Sequence, residues 1–247
     1  MAKKSLEKEL NASNVMQAVP AAYEYYQGLA ERVIYIDTEI DEDLDSLRPV
    51  KQIVRWNMED MGIAPSKRKP IYIFFYSYGG DANLCTTTID AIQASKTPII
   101  GVNLGVAYSA AAYMYISCPT RYMFERATLL FHQGSAQFNG DFRSIMPAIE
   151  QYQKKVEKLS EIVKQFTNIP EDEVEENIIE EWYMYADEAV QKGAADYIVK
   201  SIDEIFNKAT LKKAKKAKKE KVQEAAPVSE EVIVEEESTE ENNSINE

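Results

Sequence analysis

The order of apolar and polar positions divides the chain into alternating short strands and helices. Arg32-Val33-Ile34-Tyr35-Ile36-Asp37 joins β-branched and aromatic residues in a compact run and predicts a strand, preceded by a short helix over Tyr23 to Glu31. From Asp41 to Met61 the apolar residues return at helical intervals. Leu44, Leu47, Ile53, Val54 and Met58 are available for a core face, and Asp41 or Glu42 stands near the start. Pro49 either kinks this helix or marks its real beginning. Gly62 to Lys69 is a loop rich in turn formers and basic residues. The unbroken run Ile71 to Tyr76 predicts a buried strand. Ala82 to Ser95 predicts a helix with Leu84, Ile89, Ile92 and Ala94 partly inward, and Thr97 to Leu104 a second buried strand.

That second strand opens into an alanine-rich segment of high helix propensity. The whole uncharged run Ile99 to Cys118 is long enough to score as a membrane span. Asn103, two glycines, two serines and three tyrosines interrupt it, and its flanks suit a strand and a helix instead. Phe142 to Thr167 reads as a long amphipathic helix, with Ile145, Ile149, Tyr152, Val156, Leu159, Ile162, Val163 and Phe166 at spacings of three and four. A short helix starts at Pro170-Glu171-Asp172 and runs into an acidic cluster near residue 181.

Composition adds a boundary at each end. Lys208 to Lys221 holds eight lysines and one glutamate, and Val222 to Glu247 holds nine acids and no base. Opposed charge blocks with few aromatics predict a disordered tail over 207–247. Residues 1–18 form an N-terminal arm that begins basic, with Lys3, Lys4 and Lys8, and lacks the apolar core of a signal peptide. The formal net charge of −13 argues against a general nucleic-acid binder. Cys85 and Cys118 show no metal or redox spacing, so both are expected free and buried in a reducing cytoplasm.

Candidate chemistry gathers where strands end. Ser109 lies in Gly105-Val106-Ala107-Tyr108-Ser109-Ala110-Ala111-Ala112, at a strand-to-helix junction where backbone N–H groups are still unpaired. His132, in Phe131-His132-Gln133, is the only histidine in the chain. Taken singly, a helix-capping serine and a core histidine are the commoner meanings, and the GxSxG elbow of the α/β-hydrolases is absent. The paired glycines of Ser77-Tyr78-Gly79-Gly80 change the balance, because they allow a tight turn and close approach of a ligand to bare backbone. The N–H of Gly80 can then join that of Ala110 as a two-donor oxyanion hole.

In order, SxGG, GxAxS, FHQ and the acidic cluster resemble the ClpP family, the self-compartmentalised serine peptidase of the Clp system, from about Tyr25 to Phe206. The resemblance implies an α/β fold, a spiral of repeated ββα units that ClpP shares with the crotonases, in a peptidase domain over 19–206. The handle that interdigitates two rings would span about 133–168, with a strand at its start. By the same comparison Ser109 is the nucleophile, His132 the general base and Glu181 the triad acid, with Glu180 and Asp187 as its competitors. Gly80 and Ala110 are the oxyanion donors, and Asp81, Ala82, Gly134, Ser135 and Ala136 flank an extended peptide. Asp81 would disfavour acidic residues near the scissile bond.

Several positions depart from the family. Tyr78 replaces the proline usual before the glycine pair, Ala111 replaces a glycine, Glu181 replaces an aspartate, and Glu180 stands where many members have an arginine. The Ser-to-His interval is shorter by two, placed as a loop trimmed around Pro119-Thr120. The resemblance further implies a homo-oligomer of heptameric rings stacked in pairs, and large unfolded substrates delivered by a separate AAA+ unfoldase such as a Clp ATPase. The arm is then either an axial pore loop or a frayed terminus. No metal, organic cofactor, nucleic acid or membrane is expected, and ATP belongs to the partner, since no GxxxxGK loop occurs. The alternatives are an inactive ClpP-like ring or scaffold subunit and a crotonase-like acyl-CoA enzyme.

Overall fold

A computed structural model of the chain describes residues 27–41 and 47–206. The expected arm over 1–18, the charged tail over 207–247, Leu44 and the start of the Tyr23 to Glu31 helix lie outside the described residues; residues 27–31 are helical.

The architecture is α/β, a seven-stranded, mostly parallel sheet with helices packed on it. Strands β1 (Val33–Ile36), β2 (Ile71–Ser77), β3 (Ile99–Tyr108), β4 (Thr120–Phe124) and β7 (Tyr197–Val199) lie in the order β1-β2-β3-β4-β7, all parallel. Parallel strands are covered on both faces, which is why β2 and the first half of β3 read as continuous apolar runs.

β3 serves two neighbours along one edge. Ile100–Asn103 pair with β4, while Val106–Tyr108 pair with β5 (Thr128–Phe131). β6 (Trp182–Tyr185) then adds antiparallel to β5. The register of β2 against β3 jumps between Phe75 and Ser77, so the last residue of β2 meets Ala107, close to Ser109.

The helices follow their sequence signals with instructive exceptions. α1 (Arg48–Glu59) carries Pro49 as its second residue, which suits the first turn because its missing N–H would be unpaired there. Its core face is Gln52, Ile53 and Trp56. Val54 and Met58 are exposed, as is Leu47, because a turn of about 100° per residue carries them round to the flank. α2 (Ala82–Ala94) buries Cys85, Thr88, Ile89 and Ile92, whereas Ala94 is exposed at its last position. The uncharged run 99–118 is divided between β3 and α3 (Ala110–Ile116), and among the described residues no helix is long and apolar enough to cross a membrane.

α4 (Phe142–Phe166) is the long helix, capped by the Asp141 carboxylate on the Ser144 N–H and tolerating Pro147 inside it. Only Leu159 and Val163 are buried, so the C-terminal half packs on the body and the N-terminal half stands off it. Residues 132–139 form no strand, because a strand needs a pairing partner and the described residues offer none there. α5 (Glu171–Asn177), α6 (Ala186–Gln191) and α7 (Ile202–Phe206) complete the chain.

Candidate active site

The site is built on the carboxyl ends of β2, β3 and β5. Ser109 follows β3 directly and adopts φ 52°, ψ −126°, a conformation costly for a residue with a Cβ. Its N–H donates to the Leu130 carbonyl at 2.8 Å, and its own carbonyl accepts from Ala112 and Tyr113 to start α3. The chain thus turns sharply from strand to helix at Ser109, with the side chain lifted out of the ladder. The β3–β5 pairing sets His132, just past β5, beside it. His132 Nε2 lies 2.7 Å from Ser109 Oγ, a short hydrogen bond.

His132 is held from behind. Tyr113, one helical turn after Ser109, donates its hydroxyl to the His132 carbonyl at 2.8 Å, and its ring packs edge-on against Phe131. Burial pushes the Tyr113 phenol well above its ordinary range, so it stays a neutral donor. Tyr152 of α4 donates to the next carbonyl, that of Gln133, at 3.2 Å, and the Gln133 N–H donates to Ile178. Beneath the elbow, Cys85 contacts the Ala110 carbonyl at 3.3 Å. Cys85 and Cys118 are both free and buried, and burial raises their thiols far from any thiolate, which removes them as nucleophiles.

The glycine turn after β2 is pressed against this elbow. A Cβ on Gly79, at φ +101°, would fall 2.7 Å from Ser109 Cβ and from the Tyr108 carbonyl oxygen, and 3.0 Å from the Ala110 nitrogen. A Cβ on Gly80, at φ +144°, would fall 2.0 Å from the Ile40 carbonyl oxygen. Both positions therefore require glycine, one for the elbow and one for the backbone at Ile40. Ile40 N–H donates to Gly79 at 2.8 Å and the Asp81 N–H donates to Ile40 at 2.6 Å, which closes one edge of the turn. Among the described residues, neither the Gly80 N–H nor the Ala110 N–H donates to a protein acceptor.

The remaining predicted residues are placed less uniformly. Asp81 caps α2, its Oδ1 accepting from the Asn83 and Leu84 N–H groups at 2.8 Å each, and Ala82 is the first residue of that helix. The Asp81 charge is thereby committed to the helix terminus. Gly134, Ser135 and Ala136 are exposed and irregular, with Gly134 at φ +79°.

Glu181 is not hydrogen-bonded to His132. The β5–β6 register runs from Thr128↔Tyr185 to Phe131↔Trp182, so Glu181 and His132 flank the last pair of the ladder. Its Oε2, however, accepts from the Tyr183 hydroxyl at 2.9 Å. Glu180 lies in the bend after α5, and Asp187 sits in the first turn of α6, neither bonded to the imidazole.

Tyr113, Tyr152 and Tyr183 escaped the reading of the sequence. Tyr113 had a usable signal, its position four residues after Ser109 in an apolar helix; the other two depend on contacts distant in the chain.

The chain shows similarity to known proteins. A family model described as Clp protease matches residues 17–202. The chain is also 24% identical over 177 residues to the ATP-dependent Clp protease proteolytic subunit 2 of Rhodococcus jostii (strain RHA1), a match covering 71% of this chain and 87% of that protein.

Proposed function

The chain belongs to the Clp protease family, and from that premise we propose that it is a serine endopeptidase cutting unfolded proteins and short peptides through an acyl-enzyme on Ser109. One observation carries the reading: the 2.7 Å contact of Ser109 Oγ with the only imidazole in the chain, at a turn strained to present that side chain.

In this mechanism the imidazole carries its proton on Nδ1, so Nε2 accepts the Ser109 proton as Oγ attacks the scissile carbonyl. The oxyanion that forms is met by the unpaired N–H groups of Gly80 and Ala110. Loss of one such donor typically costs about 10²–10³ in rate. The imidazolium then protonates the departing amine, leaving an ester on Ser109. Water, deprotonated by the same Nε2, hydrolyses the ester and restores the enzyme. Glu181 is the carboxylate available to stabilise the imidazolium. No metal or organic cofactor is required by these steps.

Ring assembly is part of the proposal, with seven copies per ring in stacked pairs and peptides delivered by a separate ATP-driven unfoldase in the cytoplasm. The support is the uncovered half of α4, where Phe142 is 78% and Met146 41% exposed, a surface suited to covering by another copy.

The test is intact-mass labelling with a fluorophosphonate serine probe, beside Ser109→Ala and His132→Ala. A single adduct on the parent, lost in both variants, is expected. A folded, assembled parent that takes no label would replace the peptidase by an inactive ring subunit. Binding of an acyl-CoA thioester, unaffected by Ser109→Ala, would replace it by the crotonase-like chemistry.

A further inference from the structure

The position of Glu181 leads beyond the triad. Residues directly opposite in an antiparallel pair point to one face, with Cβ atoms about 5 Å apart. The ladder ends at the Phe131↔Trp182 pair, and His132 and Glu181 are the residues that follow and precede it in the two segments. A carboxylate of that reach can meet Nδ1, the ring nitrogen that Ser109 leaves open. It is held elsewhere, by the hydroxyl of Tyr183, two residues along on the same face of β6.

Tyr183 is itself part of a run of three tyrosines. Its ring stands edge-on to Tyr108 at 5.7 Å, and Tyr108 stands edge-on to Tyr78 at 5.6 Å. The Tyr108 hydroxyl is fixed 2.8 Å from Thr128 Oγ1 of β5. The run touches each part of the site: Tyr78 precedes the glycine pair, Tyr108 precedes Ser109, and Tyr183 holds the acid. The hydrogen bond to Glu181 also raises the Tyr183 phenol above its ordinary value, so it remains a donor at neutral pH.

We propose that Tyr183 is a positioning residue whose hydroxyl holds the Glu181 carboxylate off His132, so that the site rests as a Ser109–His132 pair and is completed when that carboxylate crosses to Nδ1. This rests on the assignment of Ser109 and His132 as nucleophile and base. The extra methylene of glutamate, relative to aspartate, supplies the reach needed for two positions. Any contact that turns the Tyr183 ring away from Tyr108 releases the acid. The ionisable groups around His132 are the Ser109 hydroxyl, the Tyr113 and Tyr152 phenols on its carbonyl and the next, and, at the start of β6, the pair of Glu181 and Tyr183. Of these only Glu181 is a carboxylic acid.

Because the chain holds one histidine, an NMR titration of histidine-labelled, untagged protein reads His132 without ambiguity and without any need for activity. An engaged carboxylate favours the imidazolium and raises its pKa by about one unit or more. The parent and Glu181→Gln should titrate within about half a unit of each other, the residual effect of a nearby but unengaged charge. Tyr183→Phe, which keeps the ring and loses the hydroxyl, should titrate about one unit higher, and Tyr183→Phe with Glu181→Gln should return to the parent value. Tyr183→Phe should also take the fluorophosphonate faster, with the acid limb of its rate profile moved to higher pH.

A pKa lower by about one unit or more in Glu181→Gln than in the parent would overturn the proposal, since the acid would already be engaged. So would a Tyr183→Phe value equal to the parent's, or a rise that survives Glu181→Gln. Failure of the peptidase reading looks different: no form takes the label, while the titrations still decide whether Tyr183 holds Glu181.

Discussion

Gly79→Ala tests how closely the chemistry depends on the glycine turn. The new Cβ would sit 2.7 Å from Ser109 Cβ and from the Tyr108 carbonyl oxygen. Carbon atoms rest about 3.5–4.0 Å apart, so turn and elbow must separate by roughly 1 Å. Neither can yield at low cost, because Ser109 is tied to Leu130 and Gly79 to Ile40 through their backbones. A displacement of about 1 Å at a reacting group typically costs about 10²-fold in rate. The φ of +101° adds a backbone penalty of about 1–3 kcal/mol.

Gly62→Ala separates these two effects, because φ there is +86° and nothing lies within 4 Å of the new methyl group. The assay is the second-order rate of fluorophosphonate addition at Ser109, read by intact mass, beside a urea melt. Both variants should lose about 1–3 kcal/mol of stability from strain, and only Gly79→Ala should lose about 10²-fold in labelling. A folded Gly79→Ala protein labelled within about threefold of the parent would refute the argued contact between turn and nucleophile.

Three further outcomes follow from named contacts. Ser109→Gly should be more stable than Ser109→Ala by about 1 kcal/mol or more in urea melts at matched protein concentration, since only glycine relieves the positive φ and neither variant bonds His132; equal stabilities would mean the elbow stores no strain. Tyr113→Phe leaves the His132 carbonyl without its donor and should cost about 1–3 kcal/mol together with a slower labelling rate, and unchanged values in both assays would count against its role. The buried Asp60 carboxylate takes two hydrogen bonds from Arg32 and one from Thr97, and the Arg32 bonds hold its pKa below the ordinary 3.8. Its stabilisation is therefore complete above that ordinary value and fades as the pH falls through the lower folded one. Asp60→Asn, which leaves Arg32 the Lys69 carbonyl and the more distant Glu59 carboxylate, should cost about 1.5–3 kcal/mol at pH 7 and flatten the acid limb of stability against pH; a loss below about 1 kcal/mol would refute the pairing.

Much of the framework was readable in the residues because the signals were local. Apolar runs bounded by turn residues marked β2 and β3, Pro49 marked the start of α1, and the glycine pair marked a close backbone approach. Ser109 and His132 were legible for the same reason, each closing a buried strand. What escaped depends on partners distant in the chain. The exposure of Val54 and Met58 follows from the direction in which α1 meets α2. The irregular course of 132–139 goes with the lack of a pairing partner among the described residues, and the commitment of Asp81 to a helix cap competes with a role toward substrate. The diversion of Glu181 to Tyr183 is a choice between two nearby hydrogen-bond donors, and sequence periodicity carries no information about such a choice.

Among the described residues β6 lies at the edge of the sheet and pairs only with β5, whereas β3 is enclosed by β2, β4 and β5. Amide protons of an edge strand are released to solvent by small openings, while those of a central strand wait for global unfolding. Glu181 and Tyr183 thus belong to a segment that comes away early, and Ser109 to one that comes away last. Warming or mild denaturant would peel the acid from the body with the nucleophile's strand still folded. Graded loss of chemistry would then precede loss of the fold.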